Sequence, residues 1–338
     1  MHVFVTGATG FIGFHTVLAL LAAGHSVRFG ARNRRKMEAL YGPLGIDTSD
    51  HALGEITDRE AIEAALDGCD GVVHTAAMVS LDASRADEIF HTNVTGTRLV
   101  IGGAVERGMR SIVHVSSVAA LYSPHLSVLD EHTPLAEKKS AYGRSKAESE
   151  RYVRGLIADG ANVAITYPAT VLGPDDPAMS EGNQGLAIFF NQTFIRTTSG
   201  LQIIDVRDLA RAHVGLLERA ASGPYLVAGQ FRSWDEMAVL LDKVTGKRLR
   251  KVTVPAWLLL ALGWVIDLIG RFVALETPAT GEGMVYATQW VYGDDRKLRK
   301  ELDLQYRPLE ETLADAVRWL ASAEKIDAWW AENLSADQ

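Results

Sequence analysis

Val3-Phe4-Val5-Thr6-Gly7-Ala8-Thr9-Gly10-Phe11-Ile12-Gly13 is the stretch that decides the fold. An unbroken apolar run gives way to a glycine-rich turn and then to a helical pattern over residues 11–23. A strand covered on both faces carries such a run, because neither face needs polar side chains. Each glycine has a physical use at this spacing: Gly7 permits a tight turn, Gly10 lets the backbone approach a pyrophosphate, and Gly13 lets the helix lie close on the strand. The start of the helix leaves N–H groups without partners and carries about half a positive charge, so an anion is stabilised there. Thr9 and the backbone of Phe11 and Ile12 stand at that point. A turn that merely uses its glycines is the plainer alternative; the strand–turn–helix context counts against it. The spacing is G-x-x-G-x-x-G, which the more familiar G-x-G-x-x-G pattern passes over.

Outward from this turn, apolar runs at 26–31, 71–75, 111–115 and 163–167 alternate with helical patterns that include 61–66, 87–107 and 141–157. The alternation predicts βαβ units and an α/β fold with a doubly wound parallel sheet of Rossmann type. Gly173-Pro174-Asp175-Asp176-Pro177 breaks the rhythm. The expected division is a dinucleotide-binding domain at 1–172, to which the chain returns around 201–228, and a smaller, mainly helical substrate domain within 173–338.

Composition narrows the function. With 47% apolar and 22% charged residues in 338, the chain is globular and large enough for about two folding units. A net charge of −8 offers no general positive field for nucleic acid, which is excluded as a partner. One cysteine, Cys69, builds neither an intrachain disulfide nor a thiolate metal site, and the histidines show no ligand spacing, so no metal is expected. The N-terminal apolar pentad lacks a basic flank and reads as mature structure; a reducing cytoplasm fits these features. The most membrane-like stretch, 255–275, is interrupted by Asp267 and Arg271 and falls short of a bilayer span. With Trp257 and Trp264 it is expected as a buried helix or a dimer contact, with weak docking on a membrane surface as the lesser alternative.

The second strand indicates which dinucleotide. An acidic residue at its end would bond the adenosine ribose and favour NAD. Ala31 stands there, followed by Arg32, Asn33, Arg34, Arg35 and Lys36. An arginine directly after the strand can fork onto a 2′-phosphate, so NADP(H) is favoured over NAD(H), with Arg32 ahead of Arg35 and Lys36. A solvated basic helix start is the alternative, and without an anion it opposes the helix dipole.

Tyr142 and Lys146, four residues apart on one helix, put an ammonium near a phenol. A nearby cation favours the phenolate and is expected to bring the tyrosine closer to the pKa of an acid-base near neutrality. Alone, Y-x-x-x-K is a weak signal. Ser116 and Ser117 add to it, because they end a parallel strand on the side where open α/β sheets hold ligands.

Together, T-G-A-T-G-F-I-G from Thr6, V-S-S-V-A-A-L-Y from Val115 and Y-G-R-S-K from Tyr142 resemble the extended short-chain dehydrogenase/reductase family. The resemblance continues through G-C-D-G-V-V-H-T-A-A from Gly68, N-V-T-G-T from Asn93, Y-P-A-T-V-L-G-P from Tyr167 and V-R-D-L-A-R-A-H from Val206. It implies Ser117 as the catalytic serine, Tyr142 as acid-base, and Lys146 as the residue that bonds the nicotinamide ribose. Ala76 and Ala77 then line the cofactor, while Pro168, Ala169 and Val171 bracket the nicotinamide. Asn93 matches a position that orders the active-site helix or relays a proton. Glu55, beside Ile56, replaces the family's usual aspartate near the adenine. The implied reaction is reduction of a carbonyl by NADPH.

The asparagine common in nucleotide-sugar epimerases is missing from Tyr167-Pro168-Ala169-Thr170. The pattern resembles dihydroflavonol reductases, cinnamoyl-CoA reductases and 3β-hydroxysteroid dehydrogenases, which implies an apolar or aromatic carbonyl substrate. Met78, Ser117, Tyr167, Phe189 and Phe190 are candidate substrate residues; for Phe189, Phe190 and Phe194, core packing carries equal weight. An epimerase would need cationic contacts to a diphosphate, for which Arg196, Arg207 and Arg211 are candidates, although surface ion pairs are the ordinary use of such residues. A non-catalytic NADP-binding protein is a further alternative, and a homodimer is a candidate assembly.

Overall fold

A computed structural model describes residues 1–79, 85–137, 140–270 and 280–334. The chain runs β1 (His2–Thr6), α1 (Phe11–Ala22), β2 (Ser26–Ala31), α2 (Arg34–Tyr41), β3 (His51–Leu53), α3 (Arg59–Leu66) and β4 (Gly71–His74). It continues as α4 (Ala86–Thr97), which passes through a π turn (Arg98–Gly102) into α5 (Gly103–Glu106), then β5 (Ser111–Val115), β6 (Val128–Leu129) and α6 (Ala141–Ala158). Next come β7 (Ala164–Pro168), β8 (Thr170–Leu172), α7 (Glu181–Asn191), β9 (Phe194–Arg196), β10 (Gly200–Asp205), α8 (Val206–Glu218) and β11 (Gly223–Val227). The remainder is β12 (Gln230–Ser233), α9 (Trp234–Thr245), β13 (Lys251–Thr253), α10 (Ala256–Ile269), α11 (Gly281–Thr288), β14 (Tyr292–Gly293), α12 (Arg296–Leu302) and α13 (Leu309–Ser322).

Seven strands form one sheet in the order β11-β7-β5-β4-β1-β2-β3, with every recorded pairing parallel. This is the doubly wound arrangement that the apolar runs predict. Both faces are covered. Val3, Val5, Val73 and Val113 pack under α1 and α8, while Phe4, Val72, Ile112 and Ile165 pack under α3, α5 and α6. Alternate residues of one strand thus enter different cores, and both faces are mainly apolar, with Thr6 and His74 hydrogen-bonded to each other across β1 and β4. After β3 the chain crosses back to lay β4 beside β1, so the switch point lies between these strands, where open α/β sheets hold ligands.

A third core joins α7, α9 and α13 around Phe194, Leu241, Leu313 and Leu320. β10 pairs with β8 and β12 outside the main sheet, whereas α8 and β11 return to the Rossmann part; Thr16 of α1 and His213 of α8 are hydrogen-bonded at 3.0 Å. Residues 255–269 depart from the expected burial: within α10 only Leu259 and Gly263 are buried. Part of that stretch, 271–275, lies outside the described residues.

Candidate active site

The carboxyl ends of β1 and β4 are tied together beneath the glycine turn. The Thr75 hydroxyl donates to Thr6 O at 2.7 Å, and Ala76 N donates to Thr6 Oγ1 at 3.2 Å. Gly7 has φ +67°, in the left-handed region, and Gly10 N donates to Gly7 O at 2.9 Å. A Cβ on Gly13 would lie 2.1 Å from Gly7 O, so the helix sits against the turn at a distance only glycine allows. α1 has no side-chain cap and no acid in its first turn, which leaves its leading N–H groups and positive dipole end facing outward. Thr9 and Ile12 are partly exposed, while the Phe11 side chain is buried against His15. Turn, dipole and available donors all fit a pyrophosphate.

Beside them, β2 ends at buried Ala31 and the chain emerges at Arg32, whose side chain is 76% exposed. Its one ion-pair partner among the described residues is Glu55, at 3.8 Å. Arg35 and Lys36 are exposed in the first turn of α2, where Asn33 accepts a bond from Lys36 N. Ile56 packs against Gly96, and Glu55 stays exposed.

On the other side of the switch point, α6 starts with Ser140 capping Gly143 N, which sets Tyr142 in the first turn. Lys146 and Glu150 follow at four-residue intervals on the same face. Lys146 Nζ donates to Val115 O at 3.2 Å, the carbonyl just before the two serines. Ser117 Oγ accepts from Ala119 N at 3.1 Å and lies close enough to Tyr142 to favour its phenolate. Serine, tyrosine and lysine thus meet at the carboxyl end of β5.

The electrostatics differ from the expectation of an acidified phenol. Tyr142 is half-buried, and desolvation by the surrounding protein pushes its pKa up; nearby Glu181 acts in the same direction, and Ser117 opposes it. Lys146 Nζ lies 5.9 Å from the ring centroid and gives one of its three N–H donors to Val115 O. Burial lowers the lysine to about 8, with Glu150 pulling the other way.

Glu150 is the residue sequence reading missed. Fully buried, it accepts from Ser116 Oγ at 2.7 Å, Tyr167 OH at 2.6 Å and Arg154 Nε at 2.8 Å. Its one prior signal was the repeat of four-residue spacing after Lys146. Ser116 serves this carboxylate, which leaves Ser117 as the candidate serine. The network corrects one reading: Tyr167, completely buried, is no substrate contact because its hydroxyl belongs to Glu150 and Arg154.

Phe190 also leaves the substrate list: it is buried against Trp330, and Phe194 is fully buried. Phe189 packs 4.4 Å from Phe194 and edge-on to Trp234, so aromatic stacking occupies this trio. Asn93 spends its amide on ordering: it clasps Met78 N and O at 2.7 and 3.0 Å and donates to Ser145 Oγ at 2.9 Å. It leaves no side-chain donor for a direct cofactor contact, while Ser145 in turn donates to Tyr142 O. Ala76, Ala77 and Met78 lie partly exposed after β4; Ala169 and Val171 are partly exposed after buried Pro168. Cys69 is a free, partly buried thiol raised to about 11 by burial, and no metal-holding group of side chains occurs among the described residues.

A glycine turn at a sheet's switch point, joined to a serine and a Y-x-x-x-K helix at the neighbouring strand ends, defines the short-chain dehydrogenase/reductase class. The profile of the NAD dependent epimerase/dehydratase family matches residues 3–228, and the chain belongs to that family, within the extended short-chain dehydrogenases/reductases. It is 31% identical over 325 residues to sterol demethylase protein B of Methylococcus capsulatus, covering 94% of this chain and 98% of that protein. A Synechocystis protein named provisionally as a dihydroflavonol 4-reductase is 30% identical over 325 residues, with 94% and 93% covered. Cinnamoyl-CoA reductase 1 of Arabidopsis thaliana is 31% identical over 261 residues, covering 71% and 74%. Among solved structures, gox2253 superposes with TM-score 0.80 at 26% identity, over 96% of this chain and 99% of that one. UDP-glucose 4-epimerase from Bifidobacterium longum, solved with NAD+ and UDP, has TM-score 0.72 at 18% identity over 96% and 99%, a likeness of fold.

Proposed function

We propose that this enzyme reduces a carbonyl, on an apolar or aromatic small molecule, to an alcohol with NADPH. The observation that carries the reading is the meeting of Ser117, Tyr142 and Lys146 beside the glycine turn. When bound, the reduced nicotinamide supplies a hydride to the carbonyl carbon. Ser117 donates to the carbonyl oxygen, and Tyr142 delivers its phenolic proton there as the C–O double bond becomes single. A raised phenol pKa suits this direction: Tyr142 is protonated at neutral pH, and the developing alkoxide is a far stronger base. Lys146, held under Val115 O, offers its charge to the ribose and to the phenolate left behind.

Arg32 supports NADPH over NADH, since it is exposed, weakly paired and follows a strand end without the ribose-binding acid. Met78, held open by Asn93, is proposed on the substrate side with Ser117. The names of the reductase relatives favour carbonyl chemistry. The epimerase reading loses its cationic contacts, because Arg196 pairs with Asp235, Arg207 with Asp205 and Asp315, and Arg211 with Asp208. The test is NADPH oxidation against ketones, aldehydes, flavonoids, steroids and aromatic CoA thioesters, with NADH in parallel. Turnover by the wild type that Tyr142→Phe abolishes supports the assignment. Equal rates for the two proteins overturn it, and a preference for NADH removes the role given to Arg32.

A further inference from the structure

Large apolar side chains are exposed singly over most of this surface, as at Leu44, Phe231 and Val239, which is ordinary. On α10 they are contiguous. Trp257 is 69% exposed and Trp264 66%, with Leu258, Leu262, Val265, Leu268 and Ile269 between 40% and 47%. At 3.6 residues per turn these seven and Ala261 fill one arc of about 160°, with no polar side chain inside it. The opposite side is fixed to the protein: Leu259 and Gly263 are buried, and a Cβ on Gly263 would meet Gly281 Cα at 2.9 Å. Asp267, the only charged residue of the helix, lies outside the arc, where its carboxylate accepts from Gly281 N at 3.0 Å. α10 is therefore an amphipathic helix whose polar side has been replaced by its own protein and whose apolar side faces out.

We propose that this face seats α10 flat on an anionic lipid bilayer. Fourteen residues reach about 21 Å along the axis, enough to lie in a bilayer interface and too little to cross one. The two tryptophans, seven residues apart, share one edge of the arc, which suits side chains that settle at the headgroup level. The approach to the helix continues the character: Val252 and Pro255 are exposed, and Arg248 and Arg250 are exposed cations with no side-chain partner among the described residues. Apolar insertion flanked by unpaired arginines is the complement of an anionic headgroup layer. The docked helix also leans on α11, whose Tyr286 ring is 4.2 Å from Tyr122 in the wall that Val118 shares, next to Ser117.

The test is co-sedimentation of the whole chain with vesicles of phosphatidylcholine alone, and of equal parts phosphatidylcholine and phosphatidylglycerol, at low and high salt. The expected result is pelleting with anionic vesicles that weakens with salt. It falls about tenfold in Trp257→Ser/Trp264→Ser and about fivefold for each of Arg248→Gln and Arg250→Gln. Unchanged melting temperatures keep the loss from being read as unfolding, as exposed positions allow. Protein that stays in the supernatant with both vesicle types overturns the proposal, and so does pelleting that the tryptophan substitutions leave intact. A dimer in sedimentation velocity that Trp257→Ser dissociates, without vesicle binding, overturns it in favour of a second copy on this face. None of these readouts requires turnover, so they are independent of the proposed reduction.

Discussion

Adding one methyl group at Gly13 puts the dinucleotide turn to a quantitative test. In Gly13→Ala the new Cβ starts 2.1 Å from Gly7 O and 2.7 Å from Gly7 C, where real Cβ contacts do not fall below 3.0 Å. Both neighbours are backbone, so no rotamer relieves the clash. The helix and the turn must part by about 0.9 Å, the difference between 3.0 and 2.1 Å. Overpacking against rigid atoms costs about 1–3 kcal/mol, and the upper end applies here, a fall in Tm of about 4 °C for a chain of 338 residues. The same movement carries the leading N–H groups of α1 off the pyrophosphate. Loss of one charge-assisted bond, about 1.5–3 kcal/mol, raises the NADPH Kd by about 10- to 150-fold. Gly155→Ala is the matched control. It lies exposed within α6 with nothing within 4 Å of its added Cβ, so the same substitution should stabilise by about 0.5–1 kcal/mol and leave binding unchanged. Scanning fluorimetry and NADPH fluorescence titration read both effects. If Gly13→Ala melts with the wild type and binds NADPH equally well, the turn does not hold the cofactor in this way.

Tyr142→Phe should lower kcat by about 10²- to 10⁴-fold and Ser117→Ala by about 10²- to 10³-fold, with the NADPH Kd of each nearly that of the wild type. Arg32→Ser should raise the NADPH Kd by about 10- to 150-fold while leaving the NADH Kd almost unmoved, measured by parallel titrations. For Lys146, lowered from 10.5 to about 8, the unfolded chain binds the extra proton between those values. Its contribution to stability therefore rises with pH across that window; above pH 10 the raised Tyr142 phenol opposes it, since the unfolded tyrosine ionises first. Lys146→Met should remove the rise between about pH 8 and 10 in urea unfolding. Activity should fall through a limb near pH 8 as Lys146 loses its charge, and Glu150→Gln, which takes away the carboxylate that supports that charge, should shift the limb to lower pH.

Much of this molecule is legible one element at a time. The glycine turn, the parallel strands, the Arg32 strand end and the Y-x-x-x-K helix all depend on neighbours three or four residues away, within reach of periodicity and backbone sterics. The element bounds accordingly fall within a residue or so of the expectation, as for 11–23 against Phe11–Ala22. What the tertiary structure decided depends on partners far away in the chain. Glu150 becomes a buried hub only because β5 and β7 bring Ser116 and Tyr167 to α6. Burial, not the lysine four residues on, governs the Tyr142 proton, and desolvation is a property of everything packed around a group. The aromatic run at 189–194 closes on Trp234 and not on a substrate, and α10 turns its apolar arc outward, because composition records how much apolar surface exists while packing alone decides which of it is covered.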